Sequence, residues 1–227
     1  MKKITKPHEP DEEKHIFTEG IDYSKTDKTS IWGTGDKGTL ELLKKTGIIG
    51  KWLNLAAGDG RYNSNLLEKA DFVIASDIDE NALAKLWQNT SDKCKEKLET
   101  KVFDVTKKIP FEGNSFDGVF CTGTLHLFPK EILRQIFSEI DRILKPSGRI
   151  LIDFATDIKR ILPNGKFYII KSEPQYKLEE ARKFIKELLK NCKVRIIELE
   201  VPAEEIKTRG FVYRFSCKGI IVIADKK

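Results

Sequence analysis

Trp52-Leu53-Asn54-Leu55-Ala56-Ala57-Gly58-Asp59-Gly60-Arg61 is the stretch whose reading decides the fold. A short apolar run stops abruptly in a turn of small residues, and a polar, helix-compatible segment follows at once. Glycine reaches backbone angles closed to other residues, and any side chain larger than a methyl would hold a ligand off the backbone. The amides at the start of the next helix then point into the gap, where a polar ligand group is welcome. The turn reads as the floor for a nucleotide-like ligand at the carboxyl edge of a first strand. A Gly-x-Gly alone equally suits a tight turn with nothing bound, so the residues downstream decide.

Downstream, two further apolar runs end in acids. Phe72 to Ser76 runs into Asp77-Ile78-Asp79, and Val102-Phe103 ends at Asp104. Asp77 falls about twenty residues past the turn, where a carboxylate can accept both hydrogen bonds of a ribose diol. Ile78 could press on one face of an adenine ring. Asp104 could accept from the adenine amino group, with the Val105 amide reaching a ring nitrogen. Each residue alone is equally a helix cap or a turn former; their order and spacing together point to one slot.

The remaining elements follow from periodicity. The first strand spans Lys51 to Ala56, and a helix covers Tyr62 to Lys69. Asp79 or Glu80 starts the next helix, with Leu83, Leu86 and Trp87 on one face. Phe116 to Cys121 is a fourth strand, ending in Thr122-Gly123-Thr124. The helix Lys130 to Leu144 keeps its apolar residues at helical spacing until Lys145-Pro146-Ser147-Gly148 terminates it, and the strand Arg149 to Phe154 comes next. Alternating helices and short buried strands mean a parallel sheet covered on both faces. After Asp157 the pattern changes. Ile158 to Leu162 and Lys166 to Ile170 flank Pro163-Asn164-Gly165, a hairpin signal. A helix from Leu178 to Lys190 leads to two closing strands, Val194 to Val201 and Phe211 to Ala224, near enough in sequence to pair antiparallel. Upstream, residues 1–38 read as an arm or lid and 39–227 as the domain, with the hairpin inserted at about 157–171. Ile31 to Gly38 is glycine-rich but lacks the preceding strand and the Gly-Lys-Ser/Thr ending of a phosphate loop. It reads as a turn into a helix from Thr39 to Thr46, stopped by Gly47, with Trp32 either covering a ligand or simply packing.

A chain of 227 residues with 40% hydrophobic and 33% charged residues suits one α/β domain with a real core. No apolar run approaches the roughly 18 residues a membrane helix needs. The basic start lacks the apolar core of a signal peptide. Cys94, Cys121, Cys192 and Cys217 are scattered, so no metal site or disulfide framework is expected and a reducing cytoplasm fits. The formal charge of +6 is uneven: residues 157–227 hold 17 Lys and Arg against 10 Asp and Glu, while the rest hold 24 against 25. That surplus reads as a lysine-rich solvated surface or as a footprint for RNA or another anionic partner.

With these residues in view, the sequence resembles the class I S-adenosylmethionine-dependent methyltransferases, specifically their small, single-domain, type 11-like members. Leu53-Asn54-Leu55-Ala56-Ala57-Gly58-Asp59-Gly60 looks like the family's glycine motif, Ser76-Asp77-Ile78 its ribose acid and Phe103-Asp104-Val105 its adenine-side motif. Asn114-Ser115-Phe116-Asp117, Leu125-His126-Leu127-Phe128 and Leu144-Lys145-Pro146-Ser147-Gly148-Arg149 complete the match. The sequence departs from the pattern twice, with Asn54 where an acid is usual and Ala56 in place of the first glycine. The resemblance implies a Rossmann-like three-layer αβα sandwich with a seven-stranded, mostly parallel sheet, order 3-2-1-4-5-7-6, the last strand antiparallel. It implies S-adenosyl-L-methionine held by Asn54, Ala56, Gly58, Asp59, Gly60, Asp77, Ile78, Asp104 and Val105, with the backbone near Ala56 and Cys121-Thr122 holding the methionine portion. His126, just past the fourth strand, is the best-placed general base, a packing or capping histidine being the other reading.

The nicotinamide-dependent dehydrogenases share a glycine turn and a ribose acid. Their fingerprint wants a third glycine where Asn63 stands, and no tyrosine here has a lysine four residues on. A cofactor-binding module without catalysis stays open, because acceptor chemistry leaves little signature. The Asn-Pro-Pro-Tyr pattern of amino-group methylation on bases or glutamine is absent; Cys121-Thr122-Gly123-Thr124 stands there instead. A small-molecule acceptor is therefore expected ahead of RNA, and no membrane partner. The arm and the hairpin are expected to border the acceptor pocket.

Overall fold

A computed structural model of the chain describes residues 37–170, 173–207 and 211–227. The expected arm, up to residue 36 and including Trp32, lies outside the described residues. In chain order the elements are α1 (Lys37–Lys45), β1 (Lys51–Asn54), α2 (Asn63–Leu67), β2 (Phe72–Asp77), α3 (Glu80–Asn89), α4 (Asp92–Lys95), β3 (Leu98–Val102) and β4 (Phe116–Cys121). A single 3-10 turn (Leu125–Leu127) then leads to α5 (Lys130–Ile143), β5 (Leu144–Ile161), α6 (Leu178–Leu188), β6 (Cys192–Lys207) and β7 (Val212–Lys226).

The strands form one seven-stranded sheet in the order 3-2-1-4-5-7-6. Strands β1 to β5 run parallel, and β7 runs antiparallel to both β5 and β6. Alternation along the strands sorts the core onto two faces. Trp52, Val73, Phe120 and Leu151 pack under α1, α2 and α3. Leu53, Ile74, Val119 and Ile152 pack under α5 and α6. Five residues of α5 are buried, Leu133, Ile136, Phe137, Ile140 and Ile143, each worth roughly 2 kcal/mol of apolar burial. The layers and strand order are those the family resemblance implies. Winding reverses between β1 and β4, and at such a switch point a crevice opens beyond the carboxyl ends of the strands.

Several boundaries differ from the sequence reading. Strand β1 stops at Asn54 rather than Ala56, because Ala56 turns the chain with φ at 52°. The third strand is Leu98–Val102, not Val102-Phe103; it is an edge strand with only Leu98 fully buried, so its apolar signal is faint. Trp87 leaves the Leu83–Leu86 face and is 40% exposed, with the Lys95 ammonium 6.0 Å from its ring. The Lys145 to Gly148 stretch does not separate helix from strand: β5 starts at Leu144, bulges against β4, and holds Ser147 at φ 62°. Strand β5 also runs on to Ile161, because β7 continues the ladder past a bulge after Thr156. Strand β6 likewise extends beyond Val201 to Lys207, with a register shift absorbing Pro202.

At the amino rim, Asp117 ties three strands together. It accepts the Lys51 amide at 2.8 Å and the Lys145 ammonium at 2.8 Å. Burial pushes its carboxyl up, but those donors more than compensate and hold it below the ordinary aspartate range. The Asn114 to Asp117 motif is therefore structural here.

Candidate functional site

The crevice is built from the β1 turn. Beyond Asn54, the Leu55 amide still donates to Phe120 O at 2.8 Å. Ala56 (52°), Gly58 (55°) and Gly60 (90°) then all take positive φ. The two glycines serve different ends. A Cβ on Gly60 would strike Leu86 of α3 at 2.6 Å, so Gly60 lets helix and turn pack. A Cβ on Gly58 would meet nothing within 4 Å and would project into the open crevice, the side from which a ligand approaches the backbone. Asp59 sits between them, half-buried in the turn.

Asp77 joins the end of β2 to that turn. Its Oδ2 accepts the Gly58 amide at 2.8 Å, and its Oδ1 accepts the Asp79 amide at 3.0 Å. The Ala57 amide donates to Ser76 O at 2.7 Å, a second tie across the same gap. A carboxylate offers about four lone-pair sites, so hydroxyl donors can still be accepted. Burial pushes the Asp77 carboxyl up, with the neighbouring Asp79 charge adding to the effect, against the pull of the Asp79, Gly58 and Ile78 amides. Ile78 projects from the rim, 37% exposed. Asp79 caps α3, accepting the Asn81 amide at 2.9 Å.

One strand further out, the Phe103 amide donates to Asp77 O at 3.1 Å, which carries Asp104 and the half-buried Val105 to the same rim. Asp104 Oδ1 accepts from the Thr106 amide and hydroxyl at 2.8 and 2.7 Å, while Oδ2 makes no hydrogen bond among the described residues. Asn54 stands apart from these. It is 3% exposed, and its side-chain amide donates to Asn63 Oδ1 at 3.2 Å, so it braces β1 against α2 underneath the turn.

On the other side of the crevice, Cys121 ends β4 fully buried, and Thr122 is half-buried. Burial pushes the Cys121 thiol well up, with the Asp153 and Asp77 carboxylates adding to the shift, so it is no nucleophile at neutral pH. Gly123 also has positive φ (69°) with open space at its Cβ position. Its amide donates to Asp153 Oδ1 at 2.7 Å. Asp153 was missed in the sequence because Phe154 and Ala155 continue the apolar run past it, so it does not mark a strand end as Asp77 does. His126 lies on the 3-10 turn, half-buried, its ring edge-on to Phe154 at 6.3 Å.

Beyond the rim, β5, β7 and β6 climb together, and β6 and β7 carry a separate apolar cluster that includes Val201, Ile206, Tyr213 and Phe215. The Pro163-Asn164-Gly165 turn folds the end of β5 back on itself: Leu162 donates to Lys166 O at 2.9 Å, and Ile161 bridges Phe167. The expected turn is present, but its first arm is β5 itself and the expected second arm, Lys166 to Ile170, forms no strand, only the single bridge at Phe167. Its base is pinned by Arg160 and Glu173, a bidentate pair at 2.6 and 2.8 Å with side chains 3% and 0% exposed.

Residues 53–152 match the family model described as a methyltransferase domain. An uncharacterized protein of Haemophilus influenzae is 33% identical over 128 residues, 55% of this chain and 51% of that protein. The match thus spans about half the length of that curated relative. Among solved structures, the YcgJ protein of Bacillus subtilis has a TM-score of 0.63 at 15% identity, covering 85% of this chain and 99% of that one. The PH0226 protein of Pyrococcus horikoshii has a TM-score of 0.60 at 23% identity, over 90% and 95% of the two chains. A DhpI–SAH complex has a TM-score of 0.61 at 18% identity, over 90% and 91%. At these identities the structural likeness is one of fold.

Proposed function

We propose, from the match of residues 53–152 to the methyltransferase-domain family model, that this chain is a class I S-adenosylmethionine-dependent methyltransferase, binding its cofactor at the carboxyl rim and transferring the methyl group to a small-molecule acceptor. One observation carries the reading: Asp77 accepts the Gly58 amide at 2.8 Å, which makes the glycine floor and the ribose acid two sides of a single slot.

The residues present fit that cofactor. Gly58 leaves the floor open, Asp77 keeps lone pairs for a ribose diol, Ile78 offers an exposed apolar face, and Asp104 Oδ2 is available to an amino group. Ala56, Cys121 and Thr122 would flank the methionine portion, with Asp59 and Gly60 completing the turn and Val105 presenting an amide. Asn54 supports the turn from below rather than contacting the ligand. When bound, S-adenosylmethionine supplies a methyl already activated by its sulfonium, so the chain has chiefly to orient an acceptor and exclude water. The rim past β4, with Gly123, Asp153 and His126, is the side on which an acceptor would stand. His126 would take the proton of an acceptor that carries one at neutral pH. The climbing end of β5 and its turn at Asn164-Gly165 would wall the acceptor pocket.

The acceptor is read as a small molecule because Cys121-Thr122-Gly123-Thr124 replaces the Asn-Pro-Pro-Tyr of base methylation. Calorimetric titration with S-adenosylhomocysteine and with NAD tests the first step; binding of NAD alone would reverse the assignment. Labelled S-adenosylmethionine offered to metabolite and RNA pools tests the second. Deleting residues 162–167 should abolish transfer and spare cofactor affinity. Turnover that survives His126→Ala would remove the base role.

A further inference from the structure

Part of the positive surplus noted in the sequence gathers at the end of the sheet opposite the crevice. There Lys45 at the end of α1, Arg149 on β5, and Lys193 and Arg195 on β6 line a cavity of about 340 Å³, with Asp225 as its one acid. Register places Arg149, Asp225 and Lys193 side by side across β5, β7 and β6, so they share one face of the sheet. Arg195, two residues on from Lys193, shares it too.

The groups that would repel an anion here are already engaged. Asp225 Oδ1 accepts from Arg149 Nε at 2.6 Å, and Arg149 Nη1 donates to Gly47 O at 3.3 Å. The carbonyls closing α1 form a negative helix end, but Leu43, Lys44 and Thr46 O all accept from Lys69 Nζ at 2.6, 2.6 and 3.1 Å. Lys193 and Arg195 are exposed and make no ion pair among the described residues. Lys45 has only Glu41 at 3.9 Å, both side chains being largely in solvent. Four cations thus face one carboxylate, itself committed to Arg149.

We propose that this cavity is a second ligand site, for a compact phosphate-type anion such as a diphosphate group. Guanidinium forks suit phosphate oxygens in pairs and ammonium groups add point charge. The volume lies at the small end of ligand pockets, about 300–1,000 Å³. A half-open concavity of this size accommodates a short anion, whereas a nucleic-acid strand needs a groove that tracks its backbone. The site lies apart from the adenosine slot and does not depend on methyl transfer.

The test is calorimetric titration of the full chain at low salt with inorganic pyrophosphate and, separately, adenosine diphosphate, S-adenosylhomocysteine being saturating throughout. Pyrophosphate should bind, and weaken as salt rises. Tighter binding of the nucleotide would assign the group to a nucleoside carrier; equal binding would assign it to the free anion. Lys193→Glu and Arg195→Glu should each weaken binding about tenfold, the worth of one charge-assisted hydrogen bond. Lys85→Glu, the same charge change on an exposed position of α3, should leave it unchanged, and thermal midpoints of all three variants should match the parent. Silence with both anions, or an equal loss in Lys85→Glu, overturns the proposal. So does single-stranded RNA that binds through Lys193 and Arg195 far more tightly than pyrophosphate.

Discussion

Asp77 does two jobs at once, holding the turn through Gly58 and presenting a carboxylate to the crevice. Its raised pKa gives the two jobs opposite pH signs. The protonated form is favoured in the folded chain, so the contribution to stability is present at acid pH and fades as pH rises through the raised value. Ligand binding through the ionised form runs the other way. S-adenosylhomocysteine affinity should fall on acidification, beginning above the ordinary aspartate range, and calorimetry across pH 4 to 7 checks it. Asp77→Asn should cut the affinity by roughly 10- to 100-fold at neutral pH, the loss of a charged hydrogen-bond acceptor. Ala56 carries a different tension, a Cβ at φ 52°. Left-handed backbone costs a non-glycine residue about 1–2 kcal/mol, which outweighs the extra chain entropy of glycine. Ala56→Gly should keep or raise the urea midpoint, whereas Ala56→Val should cost roughly 2 kcal/mol.

At the scale of elements, β1 and β4 meet through a size match. Trp52 pairs with Gly118, and a Cβ on Gly118 would come within 2.3 Å of the indole. Gly118→Ala should destabilise by about 1–3 kcal/mol through overpacking. Trp52→Phe in the same chain should recover part of that loss, a coupling that a double-mutant cycle in urea measures. The same elements show what the sequence made readable. Strand β4 and helix α5 were legible because their burial is dense and regular, and local periodicity is then the whole signal. Strand β3 was faint because an edge strand buries one side chain in five. The length of β5 was hidden for another reason: Pro146, Ser147 and Asp157 are turn formers, and only a partner strand tolerating bulges carries the ladder across them. Within the crevice the turn and both acids were legible as strand ends. That Asn54 faces Asn63 was not, because strand parity at a turn depends on the residue at which the chain leaves the sheet.

Across the whole molecule, two ion pairs act at opposite ends. Asp117 at the amino rim has a lowered pKa, so its stabilisation is present above the unfolded value and fades as pH falls through the lower folded one. Beyond the carboxyl rim, Arg160 and Glu173 are fully desolvated and held to each other, with the guanidinium 5.7 Å from the Phe215 ring. Glu173→Gln should cost about 3–5 kcal/mol by stranding a buried charge, while Arg160→Met with Glu173→Leu should recover much of it. Urea unfolding of the three chains decides between them.

The sheet order also constrains the timetable of synthesis. Strand β7 follows β6 in the chain yet sits between β5 and β6. A growing polypeptide that has emerged as far as β6 therefore presents a long, apolar, unzipped border along β5, the sort of border that recruits neighbours. Only when β7 slides into the gap is that border sealed, so the polysome stage rather than the finished protein is where this fold is most exposed to association with its own kind.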